Sequence, residues 1–391
     1  MAVATITLES TNGDSVVVSA PNDDYLKDDI VLDTEPTGMY DTGFKVRTVS
    51  GAFEIGGRIV GEQVPIREPI LPFWLTKASR PRFQRLWGTP GNFQKVKCTW
   101  ETESGPRFLI LKLAKEIQYE TEDGFDTDKP DDVYHAVVSA MAVNPMYEGV
   151  EDPAEWANPD DRFTVVVVAS AGTFPLTFTP KVGSPTTITV AYNAATAALQ
   201  SQLEGIVGAG KVTVTGTPSN YQIVFAVGTN GVLTATTTGL TGTGIGLLTK
   251  SVTIHYAPNT GWFDVWNPTD QPLWLEWALD PAEQWQFPDF AFGQERKWGR
   301  AVGEDAARMI VTPQLTQMLS VMSDPFMDTY VNADLSNAAG LFNGVEPIYA
   351  VPPYTATSVD PVVMPVICKG PAGAKVTLRQ RRFWSAESGL E

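Results

Sequence analysis

The sequence predicts a mainly β protein of three units, in which a small α+β module is inserted between two β-rich parts. Runs of Val, Ile, Thr, Phe and Tyr between turns of Gly, Pro and Asp recur along most of the 391 residues, and this spacing is typical of a sandwich or barrel. The composition also changes abruptly in the middle of the chain. The predicted units are residues 1–162, 163–253 and 254–391.

Composition and charge exclude several classes of function. Hydrophobic residues make up 43% of the chain and charged residues only 19%, which is typical of a globular protein. The formal net charge is −17, and such a charge repels phosphate backbones, so we expect no sequence-specific nucleic-acid binding. No apolar run approaches the roughly 20 residues of a membrane-spanning helix. We therefore expect no membrane span.

The first unit is predicted to be a β domain with one helix. β-branched and aromatic runs predict strands at 44–50, 94–102, 107–119 and 133–143. The helix is expected over 75–86, with these residues on its apolar face: Leu75, Ala78, Phe83 and Leu86. Pro81 must then lie in the first turn, because proline inside a helix breaks its hydrogen bonding.

The middle unit differs in composition from both its neighbours. Between Arg162 and Asp264 there is no aspartate, one glutamate (Glu204) and three lysines, whereas Thr, Val, Gly and Ala are abundant. Strands are predicted at 164–168, 173–179, 188–192, 211–215 and 221–227. A helix capped by Asn193 is expected over 194–207, since Leu199 and Leu203 lie on one face, and a Gly/Thr-rich tail follows through Leu248. These features indicate an inserted module.

The third unit repeats the strand-and-turn pattern of the first. Strands are predicted at 262–277, 284–292, 309–311, 348–351, 362–368 and 375–380. The segment 315–321 fits either a helix or a strand.

No catalytic or metal site is predicted. The only histidines are His135 and His255, both in strand-like segments, and no Gly-x-Ser-x-Gly elbow occurs. Cys98 and Cys368 have no CxxC partner and are expected to be free core thiols. The acidic run 120–132 could bind calcium, but it lacks EF-hand spacing, so we expect a solvated loop. We expect no enzyme activity and no cofactor.

Six tryptophans crowd the start of the third unit. Flat aromatic rings stack on sugars and on partner proteins, while strand alternation with Phe263, Val265, Leu273 and Leu275 favours core or subunit packing. The candidate partner or glycan contacts are Trp262, Trp266, Trp274 and Trp277.

The same region resembles a known family. The segment Phe263-Asp-Val-Trp-Asn-Pro-Thr-Asp-Gln-Pro-Leu-Trp-Leu-Glu-Trp277, followed by Trp285-Gln-Phe-Pro-Asp-Phe290, resembles the minor tail proteins of long-tailed phages (siphoviruses) of actinobacteria that are similar to distal tail proteins. The C-terminal segments also resemble that family: Ala350-Val-Pro-Pro353, Pro365-Val-Ile-Cys368, Gly373-Ala-Lys-Val376 and Arg381-Arg-Phe-Trp-Ser385. Ala386-Glu-Ser388 stands where the family has Pro-Trp.

The other two units also contain short segments that resemble phage tail proteins. The middle unit resembles a small module inserted or repeated in phage tail proteins, and its most specific part is Tyr192-Asn-Ala-Ala-Thr-Ala-Ala-Leu-Gln200. The first unit is similar to the family in strand layout, in Pro81-Arg-Phe-Gln-Arg-Leu-Trp87 and in Asn144-Pro145.

The resemblance implies a structural virion protein of the tail tip, assembled in the host cytoplasm. It implies a tail-tube-like β-sandwich followed by a second sandwich of jelly-roll or galectin-like type. Such proteins form a ring, usually a homohexamer, that joins the tail tube to the tail-tip hub and other minor tail proteins, and DNA passes through its lumen. The alternative is a carbohydrate-binding adsorption protein that recognises a host envelope glycan. A cell-wall hydrolase is disfavoured because catalytic signatures are missing.

Overall fold

A computed structural model describes residues 4–34, 36–40, 42–53, 55–121, 133–151, 153–242 and 249–390. The fold is mainly β, as the sequence predicts, with many antiparallel sheets. Most of the acidic run 120–132 and the end of the Gly/Thr-rich tail at 243–248 lie outside the described residues.

The first part of the chain folds into one large sheet, one hairpin and a helix. Its strands are β1 (Thr5–Ser10), β2 (Ser15–Ser19), β3 (Ile30–Leu32), β4 (Lys45–Val49), β5 (Arg58–Gln63), β6 (Ile70–Thr76), β7 (Gly88–Thr89), β8 (Asn92–Phe93), β9 (Val96–Thr102), β10 (Gly105–Leu113), β11 (Gln118–Thr121), β12 (Val133–Met141) and β13 (Tyr147–Gly149). The helices are a 3-10 turn at Asp23–Asp28 and α1 at Arg80–Trp87.

The large sheet curls towards a barrel. Its strand order is β2-β1-β9-β10-β12-β6-β3, and the end strands β2 and β3 lie against each other. Helix α1 contributes Phe83, Leu86 and Trp87 to the core inside the sheet. Strands β4 and β5 pair with each other and, among the described residues, with no other strand.

The middle of the chain folds into two sheets and a helix. After β14 (Ala154–Ala157), which belongs to a sheet of the last part of the chain, its elements are β15 (Arg162–Val168), β16 (Ala171–Pro180), β17 (Thr186–Ala191), α2 (Thr196–Val207), β18 (Val212–Thr217), β19 (Asn220–Phe225), β20 (Gly231–Ala235), β21 (Leu240–Thr241) and β22 (Ser251–Tyr256). One sheet has the order β18-β19-β15-β22, and the other joins β17, β16, β20 and β21. Leu199 and Leu203 of α2 are buried in the core of this module.

The last part of the chain folds into a two-sheet sandwich. Its strands are β23 (Asn259–Val265), β24 (Leu275–Leu279), β25 (Gln284–Pro288), β26 (Met309–Val311), β27 (Leu319–Met322), β28 (Tyr330–Asn332), β29 (Val362–Lys369) and β30 (Lys375–Gln380), and β31 (Phe383–Trp384) follows them outside the sandwich. Two 3-10 turns lie at Glu295–Trp298 and Ala339–Phe342. The sheets have the orders β14-β30-β24-β27-β28 and β23-β29-β25-β26.

This arrangement gives three separate hydrophobic cores. Two short strands each pair with a sheet that belongs to a different part of the chain. Strand β14 at 154–157 pairs with β30 of the sandwich, although the sequence places these residues in the first unit. Strand β31, at the other end of the chain, pairs with β13 of the first sheet. Trp384 is consequently buried in the first core. We propose that the three cores mark three domains.

Several elements differ from the sequence prediction for identifiable reasons. Leu75 belongs to strand β6 because Phe73 and Leu75 alternate into the first core; the helix therefore starts only at Arg80, with Pro81 in its first turn. Ala195, rather than Asn193, occupies the N-cap position of α2, which has no side-chain capping hydrogen bond. The strand expected at 348–351 is reduced to a single bridge between Leu273 and Val351. The ambiguous segment 315–321 contains the start of strand β27.

Removal of the module should leave the sandwich folded. The ends of the module are adjacent, because the Ala257 N–H donates to the Arg162 carbonyl at 2.8 Å. A variant in which two glycines replace residues 163–256 should remain monodisperse and retain β-type circular dichroism, since the sandwich core includes none of these residues. Removal of β24 (Leu275–Leu279), which supplies core residues, should abolish folding. An aggregated 163–256 deletion would reject the insertion.

Candidate interaction surfaces

The four candidate tryptophans lie in different environments. Trp262 points away from the sandwich core and is 61% exposed, whereas Trp277 is 2% exposed. The Trp277 ring packs in the core, with centroids 5.5 Å from Phe263 and 6.0 Å from Phe287. Trp277 therefore stabilises the sandwich and is not available for contact with a partner.

The other two tryptophans are half-buried. The guanidinium of Arg382 lies 4.2 Å from the centroid of the Trp266 ring and also donates to the Trp266 carbonyl. This cation-π contact ties Trp266 to the last segment of the chain. Trp274 lies between the buried residues Leu273 and Leu275. The structure does not bring the four rings together as one platform.

Trp262 belongs to the outer face of the sheet β23-β29-β25-β26. Successive side chains of a strand point to opposite faces, so Trp262 shares this face with Asp264 of its own strand and with Pro365 opposite it. Val363 on the neighbouring strand β29 and Val311 on β26, at the far edge of the sheet, are about half exposed. The face thus offers one large aromatic ring among smaller apolar and polar side chains.

A second exposed surface is the apolar hairpin, which we define as residues 44–64 around β4 and β5. None of its described residues is buried. Phe53 and Ile55 at the tip are fully exposed, and Phe44 and Ile59 are largely exposed. Large exposed apolar side chains of this kind make the hairpin a candidate interaction surface.

Buried polar groups fasten the C-terminal tail to the first sheet. Arg107 is 1% exposed, and its guanidinium donates to the carbonyls of Ala386 at 3.0 Å and Gly389 at 2.7 Å. The same group lies 4.3 Å from the ring of Trp384. Arg67, also buried, donates to the carbonyl of Ser385 at 2.9 Å. Neither arginine stands out in the sequence, because each is separated from the tail by more than half the chain.

A second buried polar cluster lies where the module joins the sandwich. Asn259 donates to the Asn158 side-chain oxygen at 2.5 Å and to the Asp160 carboxylate at 2.9 Å. Asp161 accepts from the backbone N–H of Gly231 in the module and of Ala372 in the sandwich. Burial raises the pKa of the Asp161 carboxyl, in spite of these two donors. A cleft of about 450 Å³ lies beside this junction.

The Asn267-Pro-Thr-Asp270 turn is a structural element. The Asn267 side chain accepts from Thr269 and donates to the carbonyl of Val351 at 3.1 Å. Asp270 accepts from the Ser385 N–H at 3.0 Å and from the Gln271 side chain at 2.9 Å, so it also holds the C-terminal tail. The motif that carries the family resemblance therefore serves packing.

The histidines and cysteines form no reactive cluster in the described part of the chain. His135 lies 3.4 Å from Asp33, and His255 lies 2.8 Å from Glu283. Burial raises the pKa of the Cys98 and Cys368 thiols to about 12. Within the described ranges, no three acidic, histidine or cysteine side chains converge as metal ligands, and no helix there has the length and apolarity to span a membrane.

Comparison with known proteins gives low-similarity structural neighbours. The chain is similar to SPP1 Dit (gp 19.1), described as a paradigm of the hub adsorption apparatus in phages that infect Gram-positive bacteria, with 9% identity, 96% of this chain and 98% of that chain covered, and a TM-score of 0.43. It is also similar to the phage P2 baseplate in its activated conformation, with Ca (11% identity, 98% of each chain, TM-score 0.36) and with Sr (10% identity, 98% of each chain, TM-score 0.35). No protein family and no curated protein matches the sequence. These three TM-scores are below 0.5, so the likenesses do not establish a function for the chain.

The attachment of the tail should depend on Arg107. Replacement of Arg107 by Ala leaves two carbonyls without their donor, so we expect the free energy of unfolding to fall by about 2–3 kcal/mol. Urea unfolding followed by tryptophan fluorescence measures this change. The control Lys115→Ala removes an exposed cation and should change the same free energy by less than about 0.5 kcal/mol. Equal stability of the two variants would contradict the anchoring role.

Proposed function

We propose that the protein is a non-enzymatic structural protein of a phage tail tip. In this proposal, copies form a ring, with six as the expected number, between the tail tube and the adsorption apparatus, and DNA passes through the ring. The apolar hairpin is the observation that carries the proposal. Its exposed apolar side chains need a partner to cover them.

The energetics of the hairpin explain this need. An isolated two-stranded hairpin is at best marginally stable in water, because it has no further strand or helix to cover a face. The apolar hairpin also exposes Phe44, Phe53 and Ile55. Contact with a neighbouring copy would bury these side chains, at roughly 25 cal/mol for each Å² of apolar surface removed from water.

Repetition of one such contact leads to a ring. A hairpin that docks on a different surface of the next copy makes a head-to-tail contact, and head-to-tail contacts close into rings when the rotation permits. The net charge of −17 would keep a lumen from binding DNA tightly. The resemblance of the Phe263–Trp277 segment to distal tail proteins supports the same assignment.

Loss of the hairpin should abolish assembly without unfolding the subunit. Replacement of residues 46–62 by Asn-Gly should retain the pairing of Lys45 with Gln63 through a two-residue turn. Sedimentation velocity should then show monomers where the wild-type chain forms rings. The thermal midpoint of the subunit should stay within a few degrees, since no described residue of the segment is buried. A wild-type chain that stays monomeric at every concentration would reject the ring.

A second candidate function is recognition of a host envelope glycan, and the exposure of Trp262 favours it. An exposed indole on a flat sheet can stack on a sugar ring, and Asp264 on the same face could accept hydrogen bonds from hydroxyl groups.

A glycan array probed with the full chain tests this function. Trp262→Ala should reduce binding by about tenfold or more, which corresponds to roughly 1.4 kcal/mol. Trp298→Ala is the matched control, since Trp298 is also exposed but lies in a 3-10 turn outside this sheet. Unchanged binding by Trp262→Ala would remove the sheet face from consideration.

A further inference from the structure

A cleft at one end of the first sheet has the chemistry of a socket for a basic side chain. Its volume is about 790 Å³, and it lies between the β1 and β9 strand ends and the C-terminal tail. Tyr40 and Trp100 line it, with ring centroids 6.1 Å apart and an interplanar angle of 69°. We call this cleft the socket.

The C-terminal tail forms one wall of the socket. Residues 387–389 line the cleft, and the Gly389 N–H donates to the Ser104 side chain at 3.0 Å. The guanidinium of Arg107 donates a hydrogen bond to the Gly389 carbonyl. The socket is therefore complete only when the tail is docked on the first sheet.

Charge and aromatic surface together favour a cation in the socket. Glu101, Glu103 and Glu387 line the cleft, and none of them has an ion-pair partner among the described residues. Tyr40 is 51% exposed, and an aromatic face attracts a cation by its quadrupole. Anions are repelled by the same carboxylates.

The apolar hairpin carries cations that fit this environment. Lys45 and Arg47 are exposed, and because they are two residues apart in β4 they share one face of the hairpin. Arg47 makes a hydrogen bond from Nη2 to Gln63 at 2.7 Å, which leaves other guanidinium donors for a partner. A guanidinium stacks on aromatic rings and pairs with carboxylates, so arginine suits the socket better than lysine.

We propose that the socket of each copy receives Arg47 from the apolar hairpin of the next copy. This inference rests on the proposed ring and assigns its contact: every copy supplies one basic hairpin and one acidic socket, as a closed head-to-tail assembly requires. The hairpin tip supplies apolar area, whereas the Arg47 contact sets the register and excludes wrong pairings.

A charge-exchange experiment on the full chain tests the contact. Arg47→Glu alone, and Glu101→Lys with Glu103→Lys, should each raise the concentration for half-assembly by about tenfold or more in sedimentation velocity. The chain with all three changes should assemble near the wild-type concentration, because the charges are again opposite. Lys211→Glu in the module makes the same charge change as a control and should assemble normally.

The outcomes distinguish a failure of the proposed socket contact from a failure of the proposed ring. Normal assembly of Arg47→Glu, or a three-change chain that stays monomeric while folded by circular dichroism, overturns the socket and leaves the ring in place. A wild-type chain that never assembles overturns both.

Cross-linking provides a second measurement. Chains with Arg47→Cys, mixed with chains with Glu103→Cys, should form a disulfide-linked dimer under mild oxidation that neither chain forms alone. Cys98 and Cys368 are buried and should not interfere. Rings without this cross-link in the mixture would contradict the contact.

Discussion

Buried polar groups must keep hydrogen-bond partners, and this requirement governs how the parts of the protein are joined. Each sheet system buries its own apolar core, and buried polar groups contribute to the joints between them. Arg107 holds the carbonyls of the tail, and Asp161 joins the module to the sandwich through two backbone N–H groups. Hydrogen bonds are directional, so these joints fix relative orientation in a way that apolar contact alone would not.

Local patterns made much of the fold predictable. The spacing of Leu199 and Leu203 predicts helix α2, and the runs of β-branched residues predict strands β15 and β19. The change in composition around residues 162 and 264 indicated a module because charge is nearly absent between them. These features depend on neighbours in sequence, which a single sequence displays directly.

Contacts between distant residues were not predictable in the same way. Trp262 and Trp277 look alike in the sequence, yet one lies on an outer face and the other in the core, because the chain turns between β23 and β24. Leu75 fits a helix by spacing, but pairing of β6 with β12 places it in a sheet. Arg107 donates to the carbonyls of Ala386 and Gly389, which are distant in sequence. No pattern among its sequence neighbours predicts these partners.

The position of Trp384 affects the order in which the molecule can be completed. This residue lies in the core of the first sheet, although it is close to the C-terminus. Chains emerge from the ribosome N-terminus first, and contacts between distant segments form late. The strands of the first sheet up to β13 are therefore synthesised before Trp384, and their core is complete only when Trp384 has docked. A chain truncated before Trp384 would lack both that core residue and the wall of the cleft formed by residues 387–389, so it would not present a complete surface to another copy.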